Sequence, residues 1–188
     1  MNIGEHWATL VSMILGLAVA ELLVNLRRLI HERRRVDWDA LPLLWAFTVL
    51  LFLFNYWWAV VTGLDGSRGA RLVMQFVPLA TIPILLFLLS ASVLPRRIPA
   101  EGRISMRAEW DKERGVVYTL FALNQTVVWL IVLAFRGHIV WDIADITRTG
   151  VLAVLLLVLF ARSRPVEWFA VTATLLLTSM RLFTQSAG

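Results

Sequence analysis

The stretch GLAVAELLVNLRRLI, Gly16 to Ile30, decides how the chain is read. It begins as an apolar run fit for a bilayer interior. It then carries Glu21, Asn25 and the pair Arg27 and Arg28. On an α-helix, Glu21, Asn25 and Arg28 stand at i, i+4 and i+7 and share a face. Ser12, Gly16 and Ala20 run beside that face at the small-residue spacing that lets a neighbouring helix approach closely. An ionisable group at the centre of a membrane helix costs about 2.5–3.5 kcal/mol to insert, so it rarely faces lipid. The stretch therefore predicts a membrane helix whose carboxylate turns toward the rest of a bundle. Two roles fit Glu21: a packing contact with Asn25, Arg28 or a neighbouring helix, or the handling of a proton or cation.

Composition widens this reading to the whole chain. Of 188 residues, 59% are hydrophobic and 16% charged, and the mean hydropathy is +0.74. An ordinary soluble domain is about 25% charged. So few polar residues cannot cover so much apolar surface, and lipid is the expected solvent. Cysteine is absent, which excludes disulfides, thiolate metal sites and thiol catalysis. The net charge is +5 and all but one of the 18 basic residues are arginine. They cluster at the ends of apolar runs, so they read as topology signals and not as a nucleic-acid surface. No basic segment precedes the first apolar run, so no cleavable signal is expected.

Crossing a bilayer core takes about 20 helical residues. Six runs qualify, predicting helices over about 4–34, 39–63, 70–94, 105–136, 139–162 and 165–185 in a single transmembrane domain spanning 1–188. The fifth reaches length only by extending back through IVWDIADITRTG, with Asp142, Asp145 and Arg148. Ser105 suits the cap of the fourth helix, and Pro165 suits the first turn of the sixth.

The connections after the first, third and fifth helices hold thirteen basic residues, and the remaining five lie on the opposite side. The positive-inside rule places the thirteen in the cytoplasm and both termini outside. Trp38 and Trp168 then fall at the inner interface, with Trp7, Trp57 and Trp58 at the outer one. Arg33, Arg34 and Arg35 fix topology and touch anionic lipid.

Two polar clusters follow. The inner one joins Glu21, Asn25 and Arg28 to Asn124 and Gln125 on the fourth helix and to Thr172 and Thr174 on the sixth. The outer one contains Asn55, Gln75, Asp142, Asp145, Arg148, Arg181 and Gln185. The fifth and sixth helices are antiparallel neighbours, which predicts an ion pair of Arg181 with Asp145 or Asp142. His6 and His138 fall at the outer boundary and read as surface histidines; a metal or haem site would require them to meet in space. No P-loop, GxSxG, HExxH or GxGxxG is present, so no cofactor or dedicated chemistry is expected.

The stretch VSMILGLAVAELLVNLRRLIHERRRVDWDALPLLWAF, and IPILLFLLSASVLPRR followed by EGRISMRAEWDKERG, resemble a widespread family of uncharacterised bacterial six-helix inner-membrane proteins. The resemblance implies a bacterial inner (cytoplasmic) membrane and a multi-pass bundle. It supplies no activity and no catalytic residue.

The expected fold is an all-α polytopic bundle of six transmembrane helices. The expected function is that of a non-enzymatic structural or accessory subunit, assembling as a homo-oligomer or within a larger membrane complex. The alternative is a small ion or solute channel or transporter using the clusters around Glu21 and around Asp145 and Arg181. An intramembrane enzyme ranks last. A continuous polar cavity between the clusters would favour transport, and a dry core would favour packing.

Overall fold

The computed structural model describes residues 3–62, 76–96, 102–136, 143–161 and 163–186. These form six helices: α1 (Ile3–His31), α2 (Ala40–Thr62), α3 (Phe76–Ser92), α4 (Met106–Arg136), α5 (Ile143–Ala161) and α6 (Arg164–Ser186). The expected starts of α3 over 70–75 and of α5 over 139–142 lie outside the described residues.

α2 and α3 are apolar on all sides, whereas α1 and α4 bury one stripe at the helical period. In α1 the buried stripe is Trp7, Val11, Leu15, Ala18, Leu22, Asn25 and Leu29, spaced by three and four. In α4 it is Met106, Trp110, Val117, Tyr118 and Phe121. The packing order is a ring, α1–α3–α4–α5–α6–α2, closed by α2 on α1. α2 also touches α3 and α4. It therefore lies nearest the centre, and its Leu41, Trp45, Val49 and Leu53 are buried. Trp45 meets Tyr118 edge-on at 5.3 Å between ring centroids and lies 5.4 Å from Phe121, which meets Phe52 at 5.2 Å. Edge-to-face pairs of this kind add about 0.5–1.5 kcal/mol beyond area burial.

The first helix stops earlier than its sequence suggests. Arg33–Arg35 wind into a 3-10 turn, and Val36 and Asp37 form a short strand, β1. β1 pairs in parallel with β2 (Ile104–Ser105), joining Val36 to Ile104 and Asp37 to Ser105. Three like charges in succession repel and favour a solvated turn over another buried helical turn. Arg35 Nε donates to the Gly102 carbonyl at 3.1 Å, and Arg103 sits 3.6 Å from Asp37. Gly102 takes φ +88°, which a side chain would strain, so glycine suits this junction. Ser105 Oγ accepts from the Ala108 N–H at the start of α4. Arg164 pairs with Asp39, which also caps α2 by accepting from the Leu41 N–H at 3.0 Å. These contacts gather the three basic connections at one end of the bundle.

The outward surface is apolar on every helix: Met13 and Leu17 on α1, Phe47 and Phe54 on α2, Ile84 and Leu88 on α3, Leu123 and Leu130 on α4, Leu156 and Phe160 on α5, and Phe169 and Leu176 on α6. Phe160 is 85% exposed, which water would penalise heavily. Among the described residues, three helical segments, His6–His31, Ala40–Val61 and Met106–Ala134, are both long and apolar enough to cross a membrane. The ladder Ser12, Gly16, Ala20 also faces outward, and nothing lies within 4 Å of a Cβ built on Gly16. This corrects the expectation that a neighbouring helix packs there. The larger side chains of the opposite stripe supply α1's contact surface instead.

Candidate functional site

The densest chemistry lies at the charged end, built from the starts of α2, α4 and α6. α4 begins at Met106, so its first turns project the extension that carries Trp110, Arg114 and Tyr118 at i, i+4 and i+8. That stripe meets Glu167, in the first turn of α6. Glu167 is wholly buried, and its side chain accepts from Arg114 Nη1 at 2.5 Å and from Trp110 Nε1 at 3.4 Å. Arg114 also lies 3.7 Å from Asp111 and keeps about a quarter of its side chain exposed, at 26%. Trp110 in turn packs edge-on against Tyr118 at 5.7 Å. The carboxylate sits at a helix N-terminus, where the macrodipole favours negative charge. Both oxygens of Glu167 are engaged, so the group is a clamp between α4 and α6 and not a free base.

Two cavities flank this clamp. One, of about 230 Å³, is lined by Lys112, Arg114, Gly115, Tyr118, Val158 and Glu167, among others. The larger, of about 370 Å³, lies between the start of α2, the end of α3 and the start of α4. Pro42, Ala91, Val93, Leu94 and Met106 give it an apolar lining, Trp110 an aromatic one, and Arg96, Glu109 and Glu113 its charge. Arg96 donates its Nε to the Ala91 carbonyl at 2.7 Å, and its own carbonyl accepts from Arg28 Nη1 at 3.3 Å. Glu109 holds Lys112 at 2.6 Å. Among the described residues, no group of three His, Asp or Glu side chains is placed to hold a metal ion.

The residues singled out in the sequence fall as follows. Asn25 is buried and its Nδ2 donates to Glu21 Oε1 at 3.3 Å, the i, i+4 contact their spacing allows. Glu21 is half-buried. Arg28 is exposed and reaches Arg96 in place of the carboxylate. Asn124 and Gln125 are buried on α4, which α3 separates from α1 around the ring, so the structure does not gather them with Glu21 into one pocket. Asp145 is buried on α5 and bonded by Arg148 Nη1 at 2.7 Å, three residues along the same helix. Asp142, His138, Gln75 and the side chains of Arg181 and Gln185 lie outside the described residues. His6 is exposed, as are Arg33 and Arg34, while Arg35 pairs with Glu32 at 3.4 Å.

Sequence reasoning missed Trp110, Arg114, Glu167, Asp39 and Arg164 as a connected set. The signal that could have found it is the Trp110–Arg114–Tyr118 stripe, an amphipathic face on the charged start of the fourth helix. No family model, curated protein or solved structure matches the chain.

Proposed function

We propose that this chain is a multi-pass inner-membrane protein of bacterial type that acts as a structural or accessory subunit, assembling with further copies or within a larger complex, and not as a conductor. The observation that carries the reading is the closed core. Fully buried Trp45, Leu53, Leu86, Leu89 and Phe121 fill the middle of the bundle. Three buried hydroxyls turn back on their own helices, Thr48 on the Leu44 carbonyl, Ser90 on Leu86 and Thr178 on Thr174, while those of Tyr118 and Thr174 carry no bond among the described residues. Hydroxyls so engaged have their protons committed to the backbone. The outward apolar faces of α3, α5 and α6 support counting all six helices as spans. The basic end supports a cytoplasmic placement with both termini outside.

The transport alternative rests on buried polar atoms without a hydrogen-bond partner among the described residues, Asn25 Oδ1, Asn55 Nδ2, Asn124 Oδ1 and Thr174 Oγ1 among them. They sit on different helices, and the side chains closing the core argue against a path joining them.

Because the chain has no cysteine, single cysteines at Gly66, Gly102 and Gly188 report topology directly. Only Gly102→Cys should resist an impermeant thiol reagent in intact cells; its labelling would overturn the orientation. Function is tested by purification in mild detergent with crosslinking and mass measurement, beside ion and solute flux in proteoliposomes. A defined assembly without flux is the expected result. A monomer that conducts overturns the reading in favour of a channel.

A further inference from the structure

The 370 Å³ cavity at the charged end shares Trp110 with the Glu167 clamp but not Glu167 or Arg114, and its lining carries both signs of charge. Met106, Glu109, Trp110 and Glu113 line it from one face of α4, at i, i+3, i+4 and i+7. Glu109 shares its carboxylate with Lys112. Glu113 is exposed and carries no ion pair or side-chain hydrogen bond among the described residues. On the α3 side, Arg96 has committed its Nε to Ala91, and its two terminal amino groups carry no bond among the described residues. A free carboxylate and a free guanidinium fork thus share one small cavity without pairing with each other.

The cavity also has an apolar exit. Ser92 lines it, and one and two turns back along the same face of α3 stand Leu88 and Ile84, both exposed. That stripe leads from the cavity along the outward surface of the bundle. Trp38, four residues before Pro42 in the cavity wall, exposes its indole at the same end, the level at which tryptophan anchors in headgroups.

From this arrangement we infer that the cavity holds the headgroup of a zwitterionic phospholipid bearing a primary ammonium, phosphatidylethanolamine. Its ammonium donates to Glu113 and Glu109, its phosphate accepts from the terminal nitrogens of Arg96, and an acyl chain lies along Leu88 and Ile84. A guanidinium fork matches phosphate geometry, and an ammonium with three N–H donors matches the carboxylates. An anionic headgroup without an amine would leave Glu113 unmatched. A trimethylated choline has no N–H to give it. The occupant is distinct from the anionic lipid expected at Arg33 and Arg34, which lie on the 3-10 turn and do not line the cavity.

The inference rests on the membrane reading, so the experiment separates the two. The purified full chain is first floated with vesicles of mixed phospholipid; failure to co-float removes the membrane reading and the lipid site with it. The co-floating protein is then delipidated in detergent. Native mass spectrometry follows retention of added phosphatidylethanolamine, phosphatidylcholine and phosphatidylglycerol of matched chains. Phosphatidylethanolamine should be retained preferentially. Glu113→Gln should lower that preference about fivefold, the worth of one partly exposed charge-assisted hydrogen bond. Glu113→Lys should shift retention toward phosphatidylglycerol. Glu113 makes no bond that holds the fold, so both variants should keep the parent's melting temperature. Equal retention of phosphatidylethanolamine and phosphatidylcholine, or a preference that survives Glu113→Gln paired with Glu109→Gln, overturns the site.

Discussion

Glu21 and Glu167 are both carboxylates on helices of the same bundle, and their surroundings differ in a way their sequence positions do not announce. Glu21 interrupts an apolar run, yet it is half-buried and its one hydrogen bond among the described residues, at 3.3 Å, comes from Asn25 on its own helix. Glu167 sits at the start of α6 beside a basic turn, yet it is wholly buried and held by residues of another helix. A charge's distance from the end of an apolar run measures its depth in a membrane. It does not measure how completely neighbouring helices enclose it. Enclosure depends on what the rest of the chain brings over it, here the extension of α4 carrying Trp110 and Arg114.

The largest effect should therefore come from Glu167. Glu167→Leu strands Arg114 and removes the acceptor of Trp110, which should destabilise the bundle by about 3 kcal/mol, at the low end for a broken buried pair because Arg114 keeps some access to water. The double change with Arg114→Leu should recover a good part of that loss, since replacing both partners by apolar groups leaves no charge unpaired. Denaturant unfolding in detergent, followed by tryptophan fluorescence, measures both. A Glu167→Leu protein as stable as the parent would mean that the α4 extension does not hold α6.

Asp145 is the intermediate case, a buried carboxylate whose observed ion pair, with Arg148, lies within one helix. That pair by itself does not tie α5 to another helix. Arg148→Leu should destabilise by about 2 kcal/mol by removing a cation from beside the buried Asp145 carboxylate, and the double change with Asp145→Leu should be milder. The sequence-based alternative puts Arg181 in this role, and it can be set directly against Arg148. If Arg181→Leu is the more damaging substitution, the contact that matters to Asp145 comes from α6, and the carboxylate belongs with Glu167 as an interhelical clamp.

How much of this was legible in the sequence follows from the same contrast. The helices were readable because apolar residues run on for about the length of helix that crosses a bilayer, as over Trp7 to Leu26. The gathering of the basic connections at one end follows from helices that alternate in direction. The contact of Glu21 with Asn25 is local and needs no knowledge of neighbours. The Glu167 clamp joins residues 53 positions apart, and Asp39 meets Arg164 across 125. No local period encodes which helices become neighbours in the ring. The ladder Ser12, Gly16, Ala20 misled for a related reason: small residues permit close approach on any face, and the large residues of the opposite stripe decided which face packs. The cavity beside α4 was invisible because its walls come from three separate segments.

The smallest effect should come from Glu21, and it is the sharpest test of the contrast. Glu21→Gln keeps the length and shape of the side chain and leaves an oxygen to accept from Asn25 Nδ2. It removes only the charge, which Asn25 meets with a neutral amide and not with a cation. A stability change within about 0.5 kcal/mol is expected, the range of a substitution away from enclosed features. Glu167→Gln is also shape-preserving, but it removes the charge that Arg114 faces across 2.5 Å, and it should cost at least twice as much. The ratio of the two Gln substitutions isolates enclosure from shape, because both keep the hydrogen-bonding outline. If Glu21→Gln proves the more damaging of the two, depth along the helix governs after all. The carboxylate of Glu21 would then need a charged partner that Asn25 does not provide. If Glu21→Gln leaves folding intact but abolishes a measured proton or cation flux, the packing role assigned to this helix is wrong at its centre.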